Sequence, residues 1–126
     1  MSHCKMKKHV WLLAMLCAIG AHPAWPQAFP VKPVRLIVPS PPGGGSDTLS
    51  RLLAQKMTES LGQAVIVENR AGGDGIVGSE SVARSAPDGY TILVGNATAQ
   101  VANIYLRKNL PYDPVKDFAP IAGGVE

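Results

Sequence analysis

Short apolar runs alternate along this chain with amphipathic stretches and glycine-rich breaks. Val34-Arg35-Leu36-Ile37-Val38 is almost continuously apolar. A run of this kind suits a strand covered on both faces, as in a parallel sheet. Residues 48–61 follow a different period. Leu49, Leu52, Leu53, Met57 and Leu61 recur at helical spacing and predict one core-facing stripe, with Gly62 ending the helix. Ala64-Val65-Ile66-Val67-Glu68 predicts a second strand. Residues 76–85 predict a second helix whose apolar side is Ile76, Val77, Val82 and Ala83, continued by Ala86. Pro87-Asp88-Gly89 predicts a turn, because Pro presets φ, Asp bonds its own backbone and Gly accepts positive φ. Tyr90-Thr91-Ile92-Leu93-Val94 predicts a third strand. Residues 99–106 predict a third helix, with Val101, Ile104 and Tyr105 on one face. A proline-punctuated connection over 110–120 leads to Ile121-Ala122-Gly123-Gly124-Val125, which predicts the start of a fourth strand.

The alternation β-α-β-α-β implies a parallel sheet with right-handed crossovers and helices on both faces. Its simplest strand order is 2-1-3. In that order the loops after the first and third strands diverge at a switch point, where open α/β sheets bind ligands. The loops 41–47 and 95–98 are therefore expected to flank one crevice.

The first of these loops carries the most chemistry. In Pro39-Ser40-Pro41-Pro42-Gly43-Gly44-Gly45-Ser46-Asp47 the prolines hold the chain extended. The glycines remove Cβ atoms where a ligand must approach the backbone. Ser46 and Asp47 are both good helix N-caps, and the helix start they predict suits a carboxylate or phosphate. A plain strand-to-helix turn explains the same glycines without any ligand. A nucleotide P-loop would need a Lys after the glycines, whereas Ser46-Asp47-Thr48 follows. A dinucleotide-binding enzyme fragment is an alternative reading: Gly43 and Gly45 fit its fingerprint and Glu68 fits its acid, but Thr48 stands in place of the third glycine. Hydrolysis would have to run on Ser46, Asp47 or Glu68 without a histidine partner.

Composition sharpens this once the leader is set aside. Lys5, Lys7 and Lys8 precede the apolar run Val10-Trp11-Leu12-Leu13-Ala14-Met15-Leu16-Cys17-Ala18-Ile19-Gly20. That arrangement reads as a signal peptide, 1–28, with cleavage expected after Ala28. His3, His9 and His22 and both cysteines, Cys4 and Cys17, all lie in it. The mature segment thus excludes a His-based triad, a thiol nucleophile, a His- or Cys-ligated metal and a disulfide. Of the 12 Lys and Arg residues three belong to the leader, leaving nine against nine Asp and Glu. The basic pI therefore argues for no nucleic-acid partner.

Four blocks in order carry a resemblance: Val34-Arg35-Leu36-Ile37-Val38-Pro39 with Pro42-Gly43-Gly44-Gly45-Ser46-Asp47; Val67-Glu68-Asn69-Arg70-Ala71-Gly72; Ala86-Pro87-Asp88-Gly89-Tyr90-Thr91; and Leu110-Pro111-Tyr112-Asp113-Pro114-Val115-Lys116-Asp117-Phe118. Together they resemble the Bug family, the TctC-like periplasmic receptors of tripartite tricarboxylate transporters. The resemblance implies an α/β, periplasmic-binding-protein-like fold and a two-lobed, non-enzymatic receptor for a small organic acid. It also implies membrane transporter subunits as partners and no cofactor. Carried over by position, it implies ligand contacts from Gly43, Gly44, Ser46 and Asp47 in the first loop, and from Asn96, Ala97 and Thr98 in the third. Residues 29–126 are then expected to form the N-terminal part of the first lobe. The chain ends where the crossover to a second lobe would begin, so a truncated remnant that does not bind is a further expectation to be weighed.

Overall fold

A computed structural model describes residues 28–123. The signal-peptide reading, apart from Ala28, and the last two residues of the expected fourth strand, Gly124 and Val125, lie outside them. Residues 121–123 are irregular.

The sheet has three parallel strands, β1 (Val34–Val38), β2 (Val65–Asn69) and β3 (Thr91–Leu93), in the order β2-β1-β3. β1 pairs with β2 from Val34↔Val65 to Val38↔Asn69, and with β3 from Arg35↔Thr91 to Ile37↔Leu93. Side chains alternate faces along a strand. Val34, Leu36 and Val38 therefore share one face of β1, and Ile37 lies on the other. All four are at most 1% exposed, so both faces of the central strand are covered. Burying each such side chain contributes roughly 1.5–3 kcal/mol.

Helix α1 (Gly45–Leu61) packs on β1 and β2, and α2 (Ile76–Ala83) on β1 and β3. α1 begins three residues earlier than the periodicity predicted. Its N-cap is Gly44, in extended conformation, rather than Ser46 or Asp47, which lie inside the first turn. Gly62 takes the left-handed conformation at φ 66° and donates to the Thr58 carbonyl, closing the helix as expected.

The faces of the helices depart from the predicted stripes. In α1 the buried residues are Asp47, Ser50 and Ala54, while Leu49, Leu52 and Leu53 are 44–59% exposed. In α2 the buried residues are Gly78 and Ser79, and Val77 is half exposed. The reason is steric. The strands supply the bulk of each layer, so a helix lying close on them needs small residues at the contact. A Cβ on Gly78 would stand 2.8 Å from Pro39 Cα, a separation no real Cβ holds.

A 3₁₀ turn (Gly73–Gly75) precedes α2, and a π-helical turn (Thr98–Ala102) precedes the short α3 (Asn103–Leu106). The expected third helix is thus present as one continuous helical run, π-wound over Thr98–Ala102 and α-helical over Asn103–Leu106. Tyr112, 5% exposed, donates its hydroxyl proton to the Ala99 carbonyl and ties the proline-rich strap down over that region. At the opposite end of the sheet, Phe29 packs on Tyr90 with ring centroids 4.9 Å apart, and Lys32 pairs with Asp88 at 3.1 Å.

Candidate functional site

The C-terminal edge of the sheet gathers three loops. The first leaves β1 through Pro39 and enters α1 at Gly45. The third leaves β3 and enters the π-helical turn. The second, after β2, runs between them: a Cβ on Gly75 would stand 2.9 Å from Ala99 Cβ and 3.4 Å from the Pro39 carbonyl. Gly75 is therefore wedged between the first and third loops. It manages this at φ 88°, following Gly72, Gly73 and Asp74 at φ 139°, 55° and 55°. Asp74 is the one non-glycine residue with positive φ among the described residues. Its carbonyl accepts from Asn103 Nδ2 at 3.1 Å and its carboxylate from Arg107 at 2.8 Å. The sequence reading left this second loop out of the site. Its signal was the glycine spacing 72-73-75, which positions the backbone rather than presenting any side chain.

In the first loop, Thr48 donates the first helical hydrogen bond, to the Gly44 carbonyl at 3.0 Å. The amides of Gly44, Gly45 and Ser46 precede it and have no intrahelical acceptor, so they point outward with the positive end of the helix dipole. Gly44 and Gly45 are exposed and Ser46 half-buried. Gly43, at φ 85°, already has a partner: its N–H donates to Asp47 Oδ2 at 2.9 Å. The Asp47 side chain is 6% exposed and lies 3.0 Å from the Arg51 guanidinium. Arg51, with the Gly43 amide, holds the Asp47 carboxyl down at about 2. Asp47 is thus an ionised, internally bonded group, and a carboxylate arriving at this loop would meet backbone amides rather than its side chain.

In the third loop Asn96 Oδ1 accepts from the Ala99 N–H at 2.8 Å, and the Asn96 carbonyl from Gln100 at 3.0 Å. Asn96 therefore caps the turn and keeps its Nδ2 as a donor. Ala97 and Thr98 are exposed on its rim.

Glu68 is not a free strand-end acid. Arg35 grips it in a fork of 2.6 and 2.8 Å, and Arg70 adds a bond of 3.2 Å. Arg35 first, then Arg70, hold its carboxyl down at about 2 against the opposing effect of burial. A carboxylate with both oxygens occupied is poorly placed to accept ribose hydroxyls, which weakens the dinucleotide alternative.

Two open grooves lie elsewhere. One of about 400 Å³ runs between α1 and β2 past Ala54, Thr58 and Val65, and one of about 660 Å³ lies along the strap from Ile104 to Val115. Neither includes a residue of the first or third loop. Gly43, Gly44, Gly45, Ala97 and Thr98 are all exposed, so among the described residues the two loops present an open ledge of backbone.

Comparison with known proteins gives these features a family context. Residues 49–125 match the model of the tripartite tricarboxylate transporter family receptor, TctC. Protein BugT of Bordetella pertussis is 41% identical over 103 residues, covering 81% of this chain and 32% of BugT. The solved structure of the periplasmic binding protein BugD superposes with a TM-score of 0.70 at 42% identity, over 74% of this chain and 31% of that one. MatC from Rhodopseudomonas palustris, solved with bound malate, gives 0.70 at 41% identity, over 73% and 31%. The chain thus spans about one third of the length of the relatives it matches.

Proposed function

The chain belongs to the TctC family of tripartite tricarboxylate transporter receptors, and from that premise we propose that it serves as the extracytoplasmic solute-binding part of such a transporter. It acts as a binding protein rather than an enzyme. Its ligand is a small carboxylated solute, held by backbone amides at the C-terminal edge of the sheet. The membrane subunits of the transporter are its partners, and the periplasm is its compartment.

The observation that carries this reading is the set of unsatisfied amides at Gly44, Gly45 and Ser46. They lie on side-chain-poor backbone, exposed at Gly44 and Gly45 and half-buried at Ser46, at the start of a 17-residue helix. Anions are stabilised at such a helix end, each by about 0.3–1 kcal/mol where exposed and more where water is excluded. Asn96 Nδ2 and the rim of Ala97 and Thr98 supply further donors for a second polar group. The bound malate belongs to MatC; similarity to that structure supports a carboxylate here without naming the acid.

On an open ledge the solute stays partly hydrated, so the expected affinity of this chain is roughly millimolar, about −4 kcal/mol. The test is a two-dimensional amide NMR titration with malate and a panel of di- and tricarboxylates. Shifts should concentrate on Gly44, Gly45, Ser46, Ala97 and Thr98. Gly44→Val should abolish them while leaving helix content intact. A Cβ at Gly44 meets only the Pro41 carbonyl, at 3.8 Å, so the added methyls occupy the space above the loop rather than disrupting it. Unchanged titration in Gly44→Val refutes the assignment.

A further inference from the structure

The first glycine loop is tied at both ends by one connected set of polar contacts. Gly43 donates to Asp47 Oδ2 at 2.9 Å. Arg51 Nε donates to the same oxygen at 3.1 Å. One turn along α1, the Arg51 guanidinium also reaches across to β2 and donates to Asn69 Oδ1 at 3.2 Å. Asn69 Nδ2 donates back to the Ser40 carbonyl at 3.2 Å. The path from Ser40 through Asn69, Arg51 and Asp47 to Gly43 thus closes on the loop itself, with residues 40–43 as its remaining side.

We propose that Asp47, Arg51 and Asn69 form a buckle that fixes the geometry of the ligand-bearing amides, and so set solute affinity as positioning residues without touching the solute.

The proposal rests on the functional reading above, but its logic is separate. Three glycines give residues 43–45 a wide choice of φ and ψ. An unrestrained loop would present the amides of Gly44 to Ser46 in a binding geometry only part of the time, and apparent affinity falls by that fraction. The buckle removes the choice at both ends. It also explains why an acidic residue stands at an anion-binding helix start. The charge of Asp47 is turned onto Gly43 and neutralised by Arg51, leaving the outward amides for the solute. Arg51 is half exposed yet spends its donors inward on Asp47 and Asn69, so it anchors the loop instead of clamping the ligand.

Asn69→Ala opens the buckle without changing net charge, and Arg51→Met opens it while freeing the charge of Asp47. Lys56→Met, which breaks the exposed pair with Glu59 on the same helix, is the control. On the purified chain, three quantities are read for each variant: hydrogen exchange at Gly43, malate affinity from the NMR titration, and the melting midpoint. Opening the buckle should speed Gly43 exchange at least tenfold and weaken malate about tenfold in both Asn69→Ala and Arg51→Met. The midpoint of Asn69→Ala should lie close to that of Lys56→Met and that of Arg51→Met lower, because it leaves the buried Asp47 carboxylate unpaired. Arg51→Lys, which keeps the charge beside Asp47 but lacks the second arm to Asn69, should fall between. Loss of affinity in Arg51→Met but not in Asn69→Ala would show a charge effect and overturn the buckle. So would unchanged Gly43 exchange in both. A wild-type chain that binds no acid refutes the functional reading, and the buckle is then judged on Gly43 exchange alone.

Discussion

Replacing Gly78 by Ala tests the packing on which the site rests. Gly78 lies in α2 where the helix crosses the end of β1. A Cβ there would stand 2.8 Å from both Cα and Cβ of Pro39 and 2.9 Å from the Arg70 carbonyl oxygen. Two of these neighbours are backbone atoms and the other belongs to a rigid ring, so none can swing aside. Overpacking of this kind costs about 1–3 kcal/mol. Against it stands the gain from replacing a helical glycine, about 1 kcal/mol. With backbone on two sides the steric term falls at the upper end of its range, and the net loss is about 2 kcal/mol. A urea melt reads this directly. At a slope of about 1–2 kcal/mol/M the midpoint should drop by about 1–2 M. Gly45→Ala is the comparison, since a Cβ there meets nothing within 4 Å; it should be neutral or up to about 1 kcal/mol more stable. A midpoint for Gly78→Ala equal to or above that of the wild type, with unchanged slope, would refute the close approach of α2 to Pro39.

The remaining predictions concern charge, helix face and export. Arg35 and Arg51 lower the folded-state values of Glu68 and Asp47 to about 2, from 4.5 and 3.8. Their stabilising contribution is therefore complete above about pH 5 and is lost as pH falls toward 2. The melting temperature should decline across that window and decline less steeply in Glu68→Gln; a rise on acidification would contradict both pairings. Leu52→Gln should change stability by less than about 0.5 kcal/mol, as an exposed site does, whereas Ala54→Leu should cost about 1–3 kcal/mol by overpacking. Chemical denaturation decides, and the reverse ranking would mean that α1 faces the sheet with its leucines. Mass spectrometry of the periplasmic fraction should find a product beginning near Phe29, and a cytoplasmic product beginning at Met1 would contradict export.

Strand order was legible because it follows from one requirement. A central run as apolar as residues 34–38 needs cover on both faces, and short crossovers then leave few arrangements. Helix orientation was not legible, for a reason common to α1 and α2. Hydrophobic periodicity assumes that the most apolar face is the one in contact. Where a helix rests on Leu36, Val38 and their neighbours, the strands already fill the layer and distance becomes the limiting quantity. Ser50, Ala54, Gly78 and Ser79 win those positions by size, with Ser50 returning its hydroxyl proton to the Ser46 carbonyl. The same local competition moved the N-cap. Ser46 and Asp47 are both capping types, but Asp47 reaches back to the Gly43 amide from inside the first turn, which lets the helix start at Gly45.

The two candidate loops were legible from their glycines and from the switch-point rule, yet what spaces them was not. Periodicity treats Asn69-Arg70-Ala71-Gly72-Gly73-Asp74-Gly75 as a connector. In the fold its run of positive φ carries Gly75 to a point where Pro39 lies on one side and Ala99 on the other. A β-carbon at Gly75 would have to push the start of the π-helical turn, and with it Asn96 to Thr98, away from the end of β1. The conformation would be strained for any other residue as well, at roughly 1 kcal/mol or more. The separation between the amides of Gly44 to Ser46 and the donors of Asn96 to Thr98 therefore depends on a residue in neither loop. A solute that engages both loops would in effect be measured against the thickness of one glycine.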